Sequence, residues 1–279
     1  MKRILVTGEN SYIGTSFVTY MEQFKDEYEV ETLSVRGDEW REKDFSIYDV
    51  VFHVAGIAHQ KETKKNRQQY FDVNFELTKS IAKKAKKDGV KQFVFLSSMS
   101  VYGIKEGKIT KKTPLKPTNA YGESKLKAEL FLCEIKDDNF CVLIVRPPMV
   151  YGKYCKGNYS TMSKMIKRTI IFPRVSNKRS MIFIDNLSFC IIKSIECEMD
   201  GIVCPQNNTL VCTSDLANEI RRIQKKKMYM SKIWGILIEV FMFIPIIKKI
   251  FGNLYYEFYD FEKVPIDFEE SIMNSEEMK

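Results

Sequence analysis

The feature that most restricts the fold lies in the first fourteen residues. A short apolar run over 3–7 (RILVT) leads into Thr7-Gly8-Glu9-Asn10-Ser11-Tyr12-Ile13-Gly14, and a helical pattern follows over 12–24. Strand, tight glycine turn and helix in that order suit a diphosphate, because backbone amides and the positive helix end converge on the anion. Gly8 and Gly14 fill the first and last glycine positions, and Ser11 stands at the middle one, a change that leaves the turn workable. Glycines at such corners also arise from simple packing; the setting directly after a strand and before a helix is what points to a dinucleotide. On this reading Gly8, Ser11, Tyr12, Ile13 and Gly14 contact that ligand.

The alternation continues through the first half. Apolar runs over 30–35, 50–54, 91–96 and 141–145 read as strands, and 69–87 and 121–136 as long helices, the first closed by Asp88-Gly89. This predicts a Rossmann-type, doubly wound α/β fold with a parallel sheet. Past Tyr151-Gly152 a helix over 158–168, a strand over 180–184 and a helix over 185–197 precede an irregular, aromatic stretch. The expected organisation is a cofactor domain over 1–150 and a smaller substrate lobe mainly over 151–279, with 180–197 contacting both. The apolar segment 233–247 holds Glu239 and Pro245. It falls short of the ~20 residues that span a bilayer. It is expected to be a buried helix of the substrate lobe, a membrane-surface segment being the alternative. The polar residues 274–279 are expected to fray.

Composition narrows the function. Hydrophobic residues make up 44% and charged residues 29%, as in soluble globular proteins. The formal charge of +8 is read as solvated helix faces such as Lys83, Lys84, Lys86 and Lys87. No basic surface interleaved with aromatics argues for nucleic acid, and a positive excess suits ligands that carry diphosphates. Seven cysteines without a Cys-x-x-Cys pair, beside only His53 and His59, argue for reduced, mostly buried thiols and against a structural metal. The opening residues lack a signal-peptide core, so a cytoplasmic location without stable membrane insertion is expected.

Tyr121-Gly122-Glu123-Ser124-Lys125 sets a phenol and an ammonium four residues apart, on one helix face. The cation can stabilise the phenolate, which lets the tyrosine exchange a proton near neutral pH. Tyr259 and Lys263 repeat the spacing, and that match is taken as coincidence. Context separates them: Ser97-Ser98 close the strand at 91–96, and ligands bind at that edge of a doubly wound sheet. After the second strand comes Ser34-Val35-Arg36. An arginine there leans towards the 2′-phosphate of NADPH, although an ordinary surface arginine explains it equally well.

Together these segments resemble the extended short-chain dehydrogenase/reductase family of nucleotide-sugar epimerases, dehydratases and reductases. The resemblance rests on 7–14, 52–56 (FHVAG), Asn74, 95–103 (FLSSMSVYG), 119–125 (NAYGESK) and 146–152 (RPPMVYG). It implies a catalytic Ser98, Tyr121 and Lys125, with Ala55, Gly56, Asn74, Ser97 and Pro148 joining Tyr121 and Lys125 along NAD or NADP. Arg179 matches the arginine that clamps the nucleotide diphosphate, and Asn158 a residue that helps hold the nucleotide. The segments after 152 are similar to capsular and O-antigen reductases of UDP-4-keto-6-deoxy-N-acetylhexosamines, which implies a UDP-sugar substrate, a role in polysaccharide precursor synthesis and a homodimer built on 69–87 and 121–136. Met149 stands where UDP-galactose epimerases carry an asparagine. A UDP-hexose 4-epimerase with tightly bound NAD is the alternative, and a catalytically inactive redox-sensing or scaffold protein the third reading.

Overall fold

A computed structural model describes residues 1–277 other than 59 and 61, so His59 lies outside the described residues. A parallel sheet carries the first half of the chain. Its strands are β1 (Lys2–Thr7), β2 (Tyr28–Leu33), β3 (Val50–His53), β4 (Gln92–Leu96), β5 (Cys141–Val145) and β6 (Gly201–Val203). Their spatial order is β6-β5-β4-β3-β1-β2. The chain leaves β1 for one edge and returns to its other side at β3, so the sheet reverses direction beside β1. Ligands of such sheets bind at that reversal, outside the carboxyl ends of the strands.

Every residue of β3 and β4 is buried, as a strand covered on both faces requires. On one face Leu5, Val51, Phe93 and Phe95 join Ile81, Ala82 and Leu132 in a single apolar cluster. On the other, Phe17 of helix α1 (Tyr12–Met21) meets Phe52 edge-on at 5.0 Å.

Two compact units emerge. The first comprises Met1–Gly103, Leu115–Pro147 and Ser188–Cys204; the second comprises Ile104–Pro114, Pro148–Leu187 and Pro205–Lys279. The division therefore departs from one cut at residue 150 in two places. Ser188–Cys204 returns to the first unit because β6 pairs with β5 and Arg146 N donates to Val203 O at 2.8 Å. Ile104–Pro114 joins the second because Gly107–Ile109 pairs with Leu254–Tyr256.

Polar side chains tie the second unit together. Asn207 donates to Tyr151 OH at 2.8 Å and accepts from the Phe183 amide at 3.0 Å. Two expectations fail here. Residues 274–276 do not fray, since they complete the helix Phe268–Glu276, and buried Glu276 accepts from Tyr159 OH at 2.7 Å and Ser163 Oγ at 2.8 Å. Nor is 233–247 a buried helix: Lys232–Val240 buries only Gly235. The cysteines are also less buried than expected, with Cys133 and Cys197 exposed.

Candidate active site

The turn after β1 is closed by its own backbone. Gly8 adopts φ +95°, Asn10 φ +64°, and Ser11 N donates to Gly8 O at 3.0 Å. Gly8 N donates to Leu33 O at 3.1 Å, so the turn is pinned to the end of β2. A side chain at Gly8 would meet protein before it met any ligand: an ideal Cβ lies 2.8 Å from Ala55 N. Ser11 Oγ accepts from Gly14 N at 3.1 Å and caps α1. Its hydroxyl therefore serves the helix, while the remaining first-turn amides, at Tyr12 and Ile13, are the groups a helix end offers to a phosphate.

β2 ends at Leu33, which leaves Arg36 exposed three residues beyond the strand. Across the reversal, β3 runs into Val54-Ala55-Gly56. His53 is fully buried, with Nδ1 2.6 Å from Thr7 Oγ1 and Nε2 2.9 Å from Thr78 Oγ1. The Thr78 proton goes to Asn74 O at 3.0 Å, so the Nε2 of His53 donates and its Nδ1 accepts. Burial, aided by the charge of Lys125, pushes this imidazole down to about 3 and keeps it neutral.

Asn74 sits in a π turn, Asp72–Leu77, within a helical run that extends from Arg67 to Lys87. Such a wide turn is common at functional sites. The fully buried amide accepts from Ile57 N at 2.7 Å and donates to Ile57 O at 3.1 Å and Ser124 Oγ at 3.1 Å. It thus locks the loop after Gly56 to helix α2 (Ala120–Ile135). Gly56 has no room for a side chain, an ideal Cβ falling 2.9 Å from Asn74 Oδ1 and 3.3 Å from Lys125 Nζ.

Tyr121 and Lys125 stand one turn apart at the start of α2, which Asn119 caps by accepting from Gly122 N at 2.8 Å. Lys125 is buried; Nζ donates to Leu96 O at 2.7 Å and lies 4.6 Å from the Phe95 ring centre. Loss of hydration lowers its pKa to about 7, against a smaller upward pull from Glu129. Tyr121 packs edge-on to Tyr70 at 6.4 Å. Burial raises the phenol's pKa, with a smaller downward pull from Ser98 and a smaller upward one from Tyr70. Ser98 Oγ in turn accepts from Ser100 N and donates to Ser100 Oγ, both at 3.1 Å.

Ser97 holds its side chain away from Tyr121. Its buried hydroxyl donates to Glu129, so the side chain is committed to the fold. Glu129 also takes both ends of Arg146, at 2.6 Å and 3.0 Å, and Arg146 donates to Tyr102 OH at 3.0 Å. Burial alone would lower the guanidinium's pKa, but the carboxylate outweighs it and the net shift is upward. Neither Glu129 nor its pairing was evident from sequence. The available hint was a charged residue closing the apolar run CVLIVR. Glu62, which accepts from Ala120 N at 2.8 Å, was missed for the same reason.

The first unit therefore brings together Gly8–Gly14, Ala55, Gly56, Asn74, Ser98, Tyr121 and Lys125. Pro148, Asn158 and Arg179 belong to the second unit. There Pro148 is buried, and Asn158 is exposed at the start of the helix Asn158–Arg168. Arg179 Nη1 donates to Gly252 O at 2.8 Å, and among the described residues no carboxylate pairs with it. Tyr259 and Lys263 lie in a stretch without helix, so their spacing does not place them on a common face.

Residues 4–192 match the NAD dependent epimerase/dehydratase family. The chain belongs to that family. It is an NAD(P)-dependent enzyme of the nucleotide-sugar epimerase, dehydratase and reductase group. A Vibrio cholerae UDP-glucose 4-epimerase is 34% identical over 70% of this chain and 67% of its own length. An N-acetyl-α-D-glucosaminyl-diphospho-ditrans,octacis-undecaprenol 4-epimerase of Escherichia coli O157:H7 is 28% identical over 55% of this chain and 47% of its own. The chain thus matches two thirds of the first relative and under half of the second. Among solved structures, a UDP-glucuronic acid 4-epimerase from Bacillus cereus in complex with NAD superposes with TM-score 0.74, at 16% identity over 98% of this chain and 94% of that one. A dTDP-4-dehydrorhamnose reductase from Bacillus anthracis with NADP gives 0.71, at 20% identity over 99% and 98%. These structures show the shared fold. The residues of this chain fit the cofactor, because the glycine turn leads into the N-terminus of α1 at the sheet reversal, where the first-turn amides of Tyr12 and Ile13 face a diphosphate's place.

Proposed function

We propose that the protein reduces the C4 keto group of a UDP-4-keto-6-deoxy-N-acetylhexosamine in the synthesis of a surface polysaccharide precursor. The observation that carries this reading is the buried Lys125, held by the Leu96 carbonyl one helical turn from Tyr121, in the same unit as Ser98. NAD(P)H, when bound, supplies the hydride. Ser98 orients the carbonyl oxygen, and Tyr121 donates the proton that the new alkoxide takes up. Lys125 stabilises the phenolate left behind and holds the ribose. On the same reading Arg179, a cation without a carboxylate partner, clamps the nucleotide diphosphate, and Asn158 helps to hold the nucleotide.

A UDP-hexose 4-epimerase is the second reading, favoured by the names of the relatives. It uses the same three side chains but keeps its cofactor. Against it stands Met149, half-buried in the strand Met149–Tyr151 where those epimerases carry an asparagine. An inactive scaffold role is disfavoured by the intact Ser98, Tyr121 and Lys125.

The test supplies purified protein with UDP-4-keto-6-deoxy-N-acetylhexosamine and follows NAD(P)H absorbance. Stoichiometric loss is expected, and Tyr121→Phe should slow it about 10²–10⁴-fold with little change in cofactor affinity. Interconversion of two UDP-hexoses without added cofactor and without net NAD(P)H change would replace the reductase reading by the epimerase one.

A further inference from the structure

The second unit carries an apolar surface that it does not cover. The helix Lys232–Val240 meets the rest of the unit through Gly235, where an ideal Cβ would fall 2.2 Å from Arg174 O. Glycine lets the helix backbone press against that carbonyl, and the large side chains turn away from it. Ile233 is 72% exposed, Trp234 54% and Phe243 73%, with Leu237, Phe241 and Ile246 exposed beside them. Scattered surface hydrophobics need no account, but a run of this kind marks an interaction surface.

Its charge identifies the occupant. Residues 221–250 contain eight lysines and arginines and one acid, Glu239; Arg221 is buried, Arg222 pairs with Glu219 and Lys248 with Glu106, which leaves five lysines for a partner. Lys225, Lys226 and Lys227 precede the helix, Lys232 opens it and Lys249 follows, all of them exposed. Next to the exposed Tyr229, Arg222, Lys226 and Lys227 line a cleft of about 280 Å³ with Asn218 and Met228. A second copy of the chain docking on this face would set lysines against lysines. A bilayer surface of anionic phospholipid answers both features, with acyl chains for the apolar residues and phosphates for the cations.

We propose that this surface seats the protein on an anionic phospholipid membrane, with the helix lying in the interface and the basic cleft against headgroup phosphates. No helix among the described residues is long and apolar enough to cross a membrane, so the attachment is peripheral.

Flotation with vesicles of phosphatidylglycerol and phosphatidylcholine, against phosphatidylcholine alone, tests it on the intact protein. Partition at low salt should be at least about tenfold higher with the anionic lipid, and should fall as salt rises. Trp234 is a built-in reporter, because Trp40, the other tryptophan, is only 2% exposed. Anionic vesicles should shift the emission to the blue, and Trp234→Phe should remove that shift. Ile233→Ser with Phe243→Ser, and separately Lys226→Gln with Lys227→Gln, should each lower partition about tenfold or more. All these side chains but Lys226 and Lys227 leave the cleft untouched, and circular dichroism and cofactor binding should not change in either variant. Equal partition to both vesicle types would overturn the proposal. So would Trp234 shielded from an aqueous quencher without lipid, in a dimer that Ile233→Ser dissociates, since the face would then join two copies.

Discussion

Lys125 is an ammonium held where water cannot reach it, with the Leu96 carbonyl as its hydrogen-bond acceptor. The sign of the cost follows from its lowered pKa. Below about pH 7 the folded protein carries the buried charge and bears the whole penalty. Between there and the ordinary lysine value of 10.5 the unfolded chain binds a proton that the folded one releases, so this site's contribution to stability rises with pH. Lys125→Met should therefore abolish activity yet raise the melting temperature, most below pH 7 and least near pH 10. Melting curves across that range check it, and a uniform drop would show that the cation supports the fold. Arg36 poses a simpler question at the same scale. If it meets a 2′-phosphate, Arg36→Ala should weaken NADPH by about 1.5–3 kcal/mol and leave NADH nearly unchanged. An equal effect of the substitution on both cofactors, read by calorimetry, would make it an ordinary surface arginine.

The strand, turn and helix at the N-terminus act as one piece. Gly8 holds it together through a left-handed backbone and a close approach to Ala55, so its role is packing as much as access for a diphosphate. Gly8→Val combines a strained φ, which costs about 1–3 kcal/mol, with a contact against backbone that cannot yield. Both the urea midpoint and NAD(P)H affinity should fall, and an unchanged midpoint would mean that the turn rearranges freely. The helical run through Asn74 shows the same coupling. Its π turn places one amide to hold the Gly56 loop and α2 together. Spacing showed that a helix lies there, but the extra residue in one turn leaves no mark on an apolar pattern only a few turns long.

At the scale of the molecule, the outer face of the first unit bears on assembly. Leu130 is exposed on α2, and the ammonium groups of Lys79 and Lys83 each lie 5.8 Å from the Phe131 ring centre. We propose a homodimer on this face, formed by the helical run up to Lys87 together with α2. Light scattering at micromolar concentration should give twice the chain mass, and Leu130→Lys should restore the monomer. A wild-type monomer would refute it.

The sequence alone determined the parallel sheet, its glycine turn and the placing of Tyr121 and Lys125. Each is written in contiguous residues, where apolar period, turn chemistry and a four-residue helical spacing act over one or two turns. The tertiary structure alone decided which polar groups serve the fold. Ser97 and Ser98 are neighbours in the same motif, yet one hydroxyl is taken by Glu129 from thirty-two residues away and the other bonds Ser100, two residues on. The apolar stretch after Lys232 carried the same limit. Hydrophobicity alone does not say whether a surface is covered; that depends on what packs against it, and here a single glycine on the Arg174 carbonyl left its neighbours facing outward.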